Sequence, residues 1–399
     1  MPKSQTKTKR SKTRKDPVPK SLGNDYKTTI PTLALEKFEV HFQPRTGVKN
    51  KGNYRGAVRY AWLGGGQCGG RLVKAFNDIG YGKVLAVNTT NNDLDLLGLP
   101  DKQKYLMDIG VNGAGKDMER GRDAINLCKQ EVLHCVEQVF GEEFDHIMVC
   151  LGAGGGTGGG GATGMIEVAK NYARRIGLKK PSKRVGVLMT LPTVGEASSP
   201  LIARNAYTIT SELCQMAAEG KISPLVIIDN AKIGMMYPGL TVKGFWPTIN
   251  NTVSGLFDVF NRLSSLPSQY SSFDQVDYHS IVAGTGCTIM GLTQIDHIKD
   301  KFAISSAVRN NLSKTLLAGG FDLSTAKVAG CIIVGGKHIM SSVPGLQDSI
   351  DYAFDVLAEI TGQATIHRGI YEDDRETLRV YTIIGGLDKP TERLEELCE

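Results

Sequence analysis

Residues 149–165, VCLGAGGGTGGGGATGM, hold eight glycines in the ten positions from 152 to 161, set between an apolar run and an amphipathic helical pattern. Glycine has no Cβ, so Gly152, Gly154, Gly155, Gly156, Gly158, Gly159, Gly160 and Gly161 leave a bare backbone that a ligand can approach closely. The helix that follows, with Met165, Ile166, Ala169, Tyr172, Ala173 and Ile176 at helical spacing, turns unpaired N–H groups toward the same spot. This combination predicts a polyphosphate cradle at a strand-to-helix junction. Thr157 is the side chain available there, for a phosphate oxygen or the water shell of Mg²⁺. A flexible linker would have polar flanks, and IMVCL and GMIEVAKNYARRI are not polar.

With 399 residues and 41% hydrophobic content, the chain is long enough for two or three domains. No apolar run of 18 residues occurs and the first twenty residues are basic, so neither a membrane span nor a secretory signal is expected. The cysteines (Cys68, Cys128, Cys135, Cys150, Cys214, Cys287, Cys331 and Cys398) are scattered without C-x-x-C spacing. They fit a reducing cytoplasm better than a disulfide framework. The histidines form no ligand or triad pattern. Net charge is +6, but residues 1–20 alone carry +7, leaving the rest near −1. This Pro-containing arm, free of aromatics, is expected to be disordered, and suits either contact with nucleic acid or an anionic lipid surface or the role of a merely solubilising or expression-related tail.

From about residue 56 the pattern alternates between short apolar runs (VRYAWLGGG, KVLAVN, HIMVCLG, RVGVLMTLP, PLVIIDN) and helical segments. Such alternation predicts an α/β fold with a doubly wound parallel sheet. Ligands of such sheets sit at the carboxyl ends of the strands. Those ends read Gly64–Gly70, Asn88–Asp93, Gly152–Gly161, Pro192–Glu196 and Asp229–Asn230. A long helix over TINNTVSGLFDVFNRLSSL comes next, then a smaller α+β unit. The predicted organisation is a basic arm (1–25), an extension (26–55), a nucleotide-binding domain (56–235), a connecting region with core helix (236–266), a C-terminal α+β domain (267–388) and a short tail (389–399).

Two motifs compete for the ligand. G110-V-N-G-A-G-K116-D117 approaches a Walker A loop, but Asp117 stands where a Ser or Thr hydroxyl is needed for Mg²⁺. G64-G-G66-Q-C-G69 follows a strand and opens a helix as in a Rossmann NAD-dependent oxidoreductase, yet KVLAVNTTNN offers Asn88 and Thr89 where a ribose-binding acid is expected.

Beyond these, the chain resembles the tubulin/FtsZ superfamily of GTP-dependent filament proteins over most of residues 56–388. G66-Q67-C68-G69 is similar to the first nucleotide loop of tubulins, G113-A114-G115 with Gly121 to the third, and G154-G155-G156-T157-G158-G159-G160 to the signature loop. Gly159 departs from the small side chain usual at its position. FAISSAVRNNL and DLSTAKVAGCIIV look more like FtsZ than tubulin, which implies a prokaryotic FtsZ-like or TubZ-like GTPase.

The resemblance implies GTP or GDP with Mg²⁺, the metal being held through phosphate and water rather than by protein ligands. It assigns nucleotide contacts to Gly65, Gly66, Gln67, Cys68, Asn88, Gly113, Ala114, Gly115, Gly154, Gly155, Gly156, Thr157, Gly158 and Gly159. Glu196 falls at the ribose position, and Asn230 and Asn251 where side-chain amides read guanine. Ser199 and Pro200 replace a basic residue of the family, with Arg204 one turn further on. In SSFDQVDYHS, Asp274 and Asp277 resemble the catalytic acids of the superfamily's synergy loop, with Ser272 where FtsZ has Asn. By itself such a pair is commonplace as a helix N-cap. The implied protein polymerises head to tail in the cytoplasm, one copy's acids reaching the GTP of the next, for cell division or a related cytoskeletal role. A TubZ-like filament for plasmid or phage DNA segregation is the alternative, and residues 3–20 are the expected contact for lipid or DNA.

Overall fold

The computed structural model describes residues 28–29, 56–110, 112–295 and 303–398. The basic arm and nearly all of the 26–55 extension lie outside them. The first half forms β2 (Tyr60–Gly65), β3 (Val84–Asn88), β4 (Lys104–Leu106), β5 (His146–Gly152), β6 (Val185–Leu191) and β7 (Leu225–Asp229), after a two-residue β1 (Thr28–Thr29). These pair in parallel in the order β4-β3-β2-β5-β6-β7. The chain winds outward from β2 to β4 and then crosses to β5 on the other side. Connections leaving β2 and β5 therefore diverge, and a crevice opens between their carboxyl ends.

All six residues of β2 are buried, because helices cover both faces of the sheet. Ala61, Leu63, Ile147 and Val149 join one core with Met165, Ile166, Ile209 and Leu213. Tyr60, Trp62, Met148 and Cys150 join the other with Leu72, Phe76, Val253 and Phe257. On that second face Trp62 stacks on Phe76 with centroids 3.5 Å apart.

The second half adds β8 (Cys287–Ile295), β9 (Val328–Gly336), β10 (Thr365–Asp373) and β11 (Leu378–Leu387). β8 runs parallel to β7, β11 lies antiparallel between β8 and β9, and β10 pairs parallel with β9. Instead of two separate sheets there is one of eleven strands, counting β1 against β8. The join is narrow: only Leu225↔Cys287 and Val226↔Thr288 pair across it.

Other departures from expectation have local causes. The long helix spans Val242–Leu263, beginning earlier than its apolar pattern, because Thr241 caps it by accepting from the Gly244 N–H while Pro247 interrupts the pattern. The helical pattern of GRDAINLCKQEVLHCVEQVF (121–140) is broken at Cys128 into Met118–Leu127 and Lys129–Phe140. The tail forms a helix, Thr391–Glu396, whose Leu394 is buried together with Leu397 just after it. No helix of the described residues is long and apolar enough to cross a membrane.

Candidate functional site

The carboxyl ends of the parallel strands open into a cleft of about 330 Å³ at the crevice between β2 and β5. Gly65, Gly66, Gln67 and Cys68 line it from β2, Asn88, Thr89 and Asp93 from β3, and Gly113, Ala114, Gly115 and Lys116 from the next loop. Gly154, Gly155, Gly156, Thr157 and Gly158 form its floor, and Pro192, Glu196, Asn230, Trp246 and Asn250 its far end. Most of the predicted nucleotide residues are thus brought together.

The glycines serve a different purpose from the one their bareness suggests. A Cβ at Gly156 would fall 2.7 Å from the Asp117 carbonyl, and one at Gly158 2.8 Å from the Gly65 carbonyl. Cβ atoms at Gly121 and Gly160 would overlap the carbonyls of Gly156 and Met118. These residues let the cradle's own loops pack on one another. Within 152–161 Gly155 is the exception, with nothing among the described residues beyond its chain neighbours nearer than 3.9 Å to its Cβ position, and Gly113 and Gly115 are similarly open. Gly66 (φ +69) and Gly113 (φ +96) supply turns that other residues resist. Gly159 lies beneath the floor and spends its N–H on the Gly155 carbonyl at 3.1 Å.

Polar side chains fix the loops. Asp93 accepts from the Gln67 amide at 2.8 Å and the Asn88 amide at 3.0 Å, bracing the first two strand ends. The Thr157 and Thr89 hydroxyls are 2.7 Å apart. Asn205 donates to the Lys116 carbonyl at 2.8 Å and more distantly to that of Gly154. Asp117, which spoils the Walker pattern, caps helix Met118–Leu127 by accepting from the Glu119 N–H at 2.9 Å. Glu196 closes a capping box with Thr193. Burial pushes the Cys68 thiol upward, partly offset by the Thr190 hydroxyl 3.1 Å away, which keeps it protonated at neutral pH.

The two asparagines behave differently. Asn230 is 4% exposed and lines the cleft, and its Oδ1 is buried with no hydrogen-bond partner among the described residues. Asn251 does not line the cleft; it borders an adjoining hollow with Lys74 and Lys243, and Asn250 takes the cleft-facing place. Successive residues of a helix point about 100° apart, so one position decides the face. Trp246, one turn before Asn250, also lines the cleft. Asp93, Trp246 and Asn250 escaped sequence reasoning. The i, i+4 pairing of Trp246 with Asn250 was the available signal, hidden by Pro247.

Asp274 and Asp277 lie at the opposite edge of the sheet. Asp274 caps helix Gln275–Val282 by accepting from the Val276 N–H at 2.8 Å and the Asp277 N–H at 3.0 Å, while Asp277 accepts from the Asp274 N–H at 2.9 Å. The helix is moored to strand beginnings: Ser223, just before β7, donates to the Val282 carbonyl at 3.0 Å, and the Tyr60 hydroxyl at the start of β2 donates to that of Tyr278 at 3.0 Å. Asp277 also pairs with His367 Nδ1 at 2.7 Å, whose Nε2 lies 2.9 Å from the Ser280 hydroxyl. Neither acid lines the cleft. Both edges expose apolar side chains: Leu96, Val194, Met235 and Val242 (97% exposed) follow strand ends around the cleft, and Val276 (75%) sits between the acids.

No protein-family model matches the chain. The chain is 27% identical over 342 residues to the cell division protein FtsZ 2 of Methanocaldococcus jannaschii, covering 84% of this chain and 82% of that one. Among solved structures, a GTPγS-bound protofilament of CetZ2 from Haloferax volcanii superposes with TM-score 0.68 at 21% identity, over 85% of this chain and 97% of that one. A GTPγS-form protofilament of TubZ from Bacillus thuringiensis serovar israelensis gives TM-score 0.72 at 18% identity, over 88% and 93%. Fold and cleft together define an α/β nucleotide-binding protein with a sheet extended by a second unit. More particularly, the chain is similar in sequence to an FtsZ and in fold to CetZ and TubZ, proteins of the tubulin/FtsZ superfamily. The oxidoreductase alternative drawn from the first glycine loop finds no support among these relatives.

Proposed function

We propose that this chain is an FtsZ-like cytoskeletal GTPase that binds GTP in the cleft, assembles head to tail and hydrolyses GTP at the seam between two copies. The observation that carries this reading is the placement of cradle and acid pair on opposite edges of one sheet, with exposed Leu96, Val194, Met235 and Val242 around the cleft and exposed Val276 between the acids. A single copy cannot bring the two together; stacking the acid edge of one on the cleft edge of another does.

In this reading the glycine floor and the helix beginning at Ala162 receive the phosphates, Glu196 the ribose, and Asn230 with Asn250 the base. The orphaned Asn230 oxygen fits a ligand carrying N–H donors, as guanine does. Mg²⁺ fits as a companion of the phosphates: the Thr89 and Thr157 hydroxyls are close by, while among the described residues no cluster of three or more His, Cys, Asp or Glu would hold a metal alone. When bound, it offsets charge developing on the phosphate oxygens. One of Asp274 and Asp277 in the neighbouring copy orients and deprotonates the attacking water.

The filament works in the cytoplasm, for cell division or a related cytoskeletal role, and the basic residues 3–20 contact anionic lipid or, in a TubZ-like role, DNA. Turnover measured against protein concentration tests the seam: the rate per molecule rises above a threshold if acids come from a neighbour and stays constant if they do not. Sedimentation with liposomes and with DNA, before and after removal of residues 1–25, separates the two cargoes.

A further inference from the structure

We propose that Arg393, near the end of the chain, is a positioning residue for base recognition, tying together the two segments that carry Asn230 and Glu196. This inference rests on the guanine reading of the cleft. It starts from the helix Thr391–Glu396, which is anchored in the core by the buried Leu394 and by Leu397 just after it, so its docking is not a surface accident. Gly320 (φ +77) lets its loop approach so closely that a Cβ there would lie 2.6 Å from the Arg393 nitrogen.

The guanidinium reaches two walls at once. Nε donates to Asp229 Oδ2 at 2.9 Å, and Nη2 points to the Pro192 carbonyl at 3.4 Å. Both side chains of the ion pair are largely buried, 12% exposed for Arg393 and 6% for Asp229. Asp229 also has a second role, in which its Oδ1 accepts from the Ala231 N–H at 3.0 Å and so caps the short helix Asn230–Met236. Asn230, the first residue of that helix, holds the unpartnered oxygen in the cleft. On the other wall, Pro192 leads directly into the Thr193–Glu196 capping box. Nη2 also reaches Asp229 Oδ1 at 3.5 Å, and the contact from Nη1 to Glu396 on the tail helix at 2.8 Å faces solvent.

Removing one member of a buried ion pair strands the other charge, so Asp229 would turn or take up a proton, and the asparagine it seats would lose its orientation. The glycine floor lies at the other end of the cleft and has no contact with Arg393 among those described. A loss that is largest for the guanine nucleotide and spares tripolyphosphate therefore separates positioning from general damage.

The test measures affinities of full-length wild type, Arg393→Ala and Glu396→Ala for GDP, ADP and inorganic tripolyphosphate. Arg393→Ala is expected to weaken GDP at least tenfold, to weaken ADP less than GDP through the shared ribose wall, and to change tripolyphosphate less than twofold, with Glu396→Ala leaving all three within twofold. Unchanged GDP affinity in Arg393→Ala, or parallel loss of all three ligands, overturns the inference. Should Arg393→Ala not fold, Arg393→Lys keeps the charge but cannot span both walls, and undiminished preference for GDP in it is equally fatal. A wild-type protein that does not prefer GDP to ADP overturns the guanine reading itself, and this inference with it.

Discussion

The cleft edge of the sheet is made of backbone and the acid edge of side chains. At the first, loops interlock through missing Cβ atoms and leave one buried amide oxygen unpaired. At the second, Asp274 and Asp277 satisfy each other's backbone, and His367 engages the latter. In the proposed seam an incomplete surface would face a self-sufficient one: the first is completed by a ligand, while the second keeps its shape without one.

The comparison can be broken most forcefully at Gly121. Its substitution by alanine drives a Cβ into the Gly156 carbonyl, and is expected to cost about 3 kcal/mol or more of stability in denaturant unfolding. Gly155→Ala, with open space at its Cβ, is expected to fold normally and weaken nucleotide binding alone. Similar unfolding midpoints for the two would end the claim that most cradle glycines serve loop packing. Next in size, Asp274→Ala is expected to lower GTP turnover about a hundredfold or more and leave GDP affinity within twofold. Loss of its N-cap also costs about 1 kcal/mol, so thermal midpoints must be read alongside.

A pH effect sharpens the contrast further. His146, at the beginning of β5 on the acid edge, is fully buried, and burial holds it down to about 3. The unfolded chain takes up this proton below about pH 6.5 and the folded chain does not, so stability falls as pH drops, by about 1.4 kcal/mol per unit from this group between the two values. His146→Phe is expected to flatten that slope in unfolding curves from pH 7 to 5. The smallest effect belongs to Trp246, whose replacement by alanine removes an aromatic face from the cleft and is expected to weaken GDP roughly tenfold by equilibrium titration.

Much of this was legible beforehand because strand ends announce themselves. Gly64–Gly70, Asn88–Asp93 and Gly152–Gly161 all meet at the cleft, as parallel winding demands. What failed was finer. Asn250 rather than Asn251 faces the cleft, since a helix whose start is masked by Pro247 gives no phase to count from. The glycines read as room for a ligand when most are room for other loops, because sequence does not reveal which loops touch. His367 and Arg393 stood too far along the chain from Asp277 and Asp229 for any local pattern to pair them.

The interlocked floor has a consequence for how such a protein can change over time. A mould in which carbonyls fill the places of most absent Cβ atoms leaves few side chains to vary, so its shape tolerates little change. Adjustment of affinity or selectivity must then come from the periphery, from the long helix and the segments carrying Asn230 and Glu196, where side chains rather than backbone face the cleft. Divergence among relatives should accordingly concentrate at that rim, with the mould passed on intact.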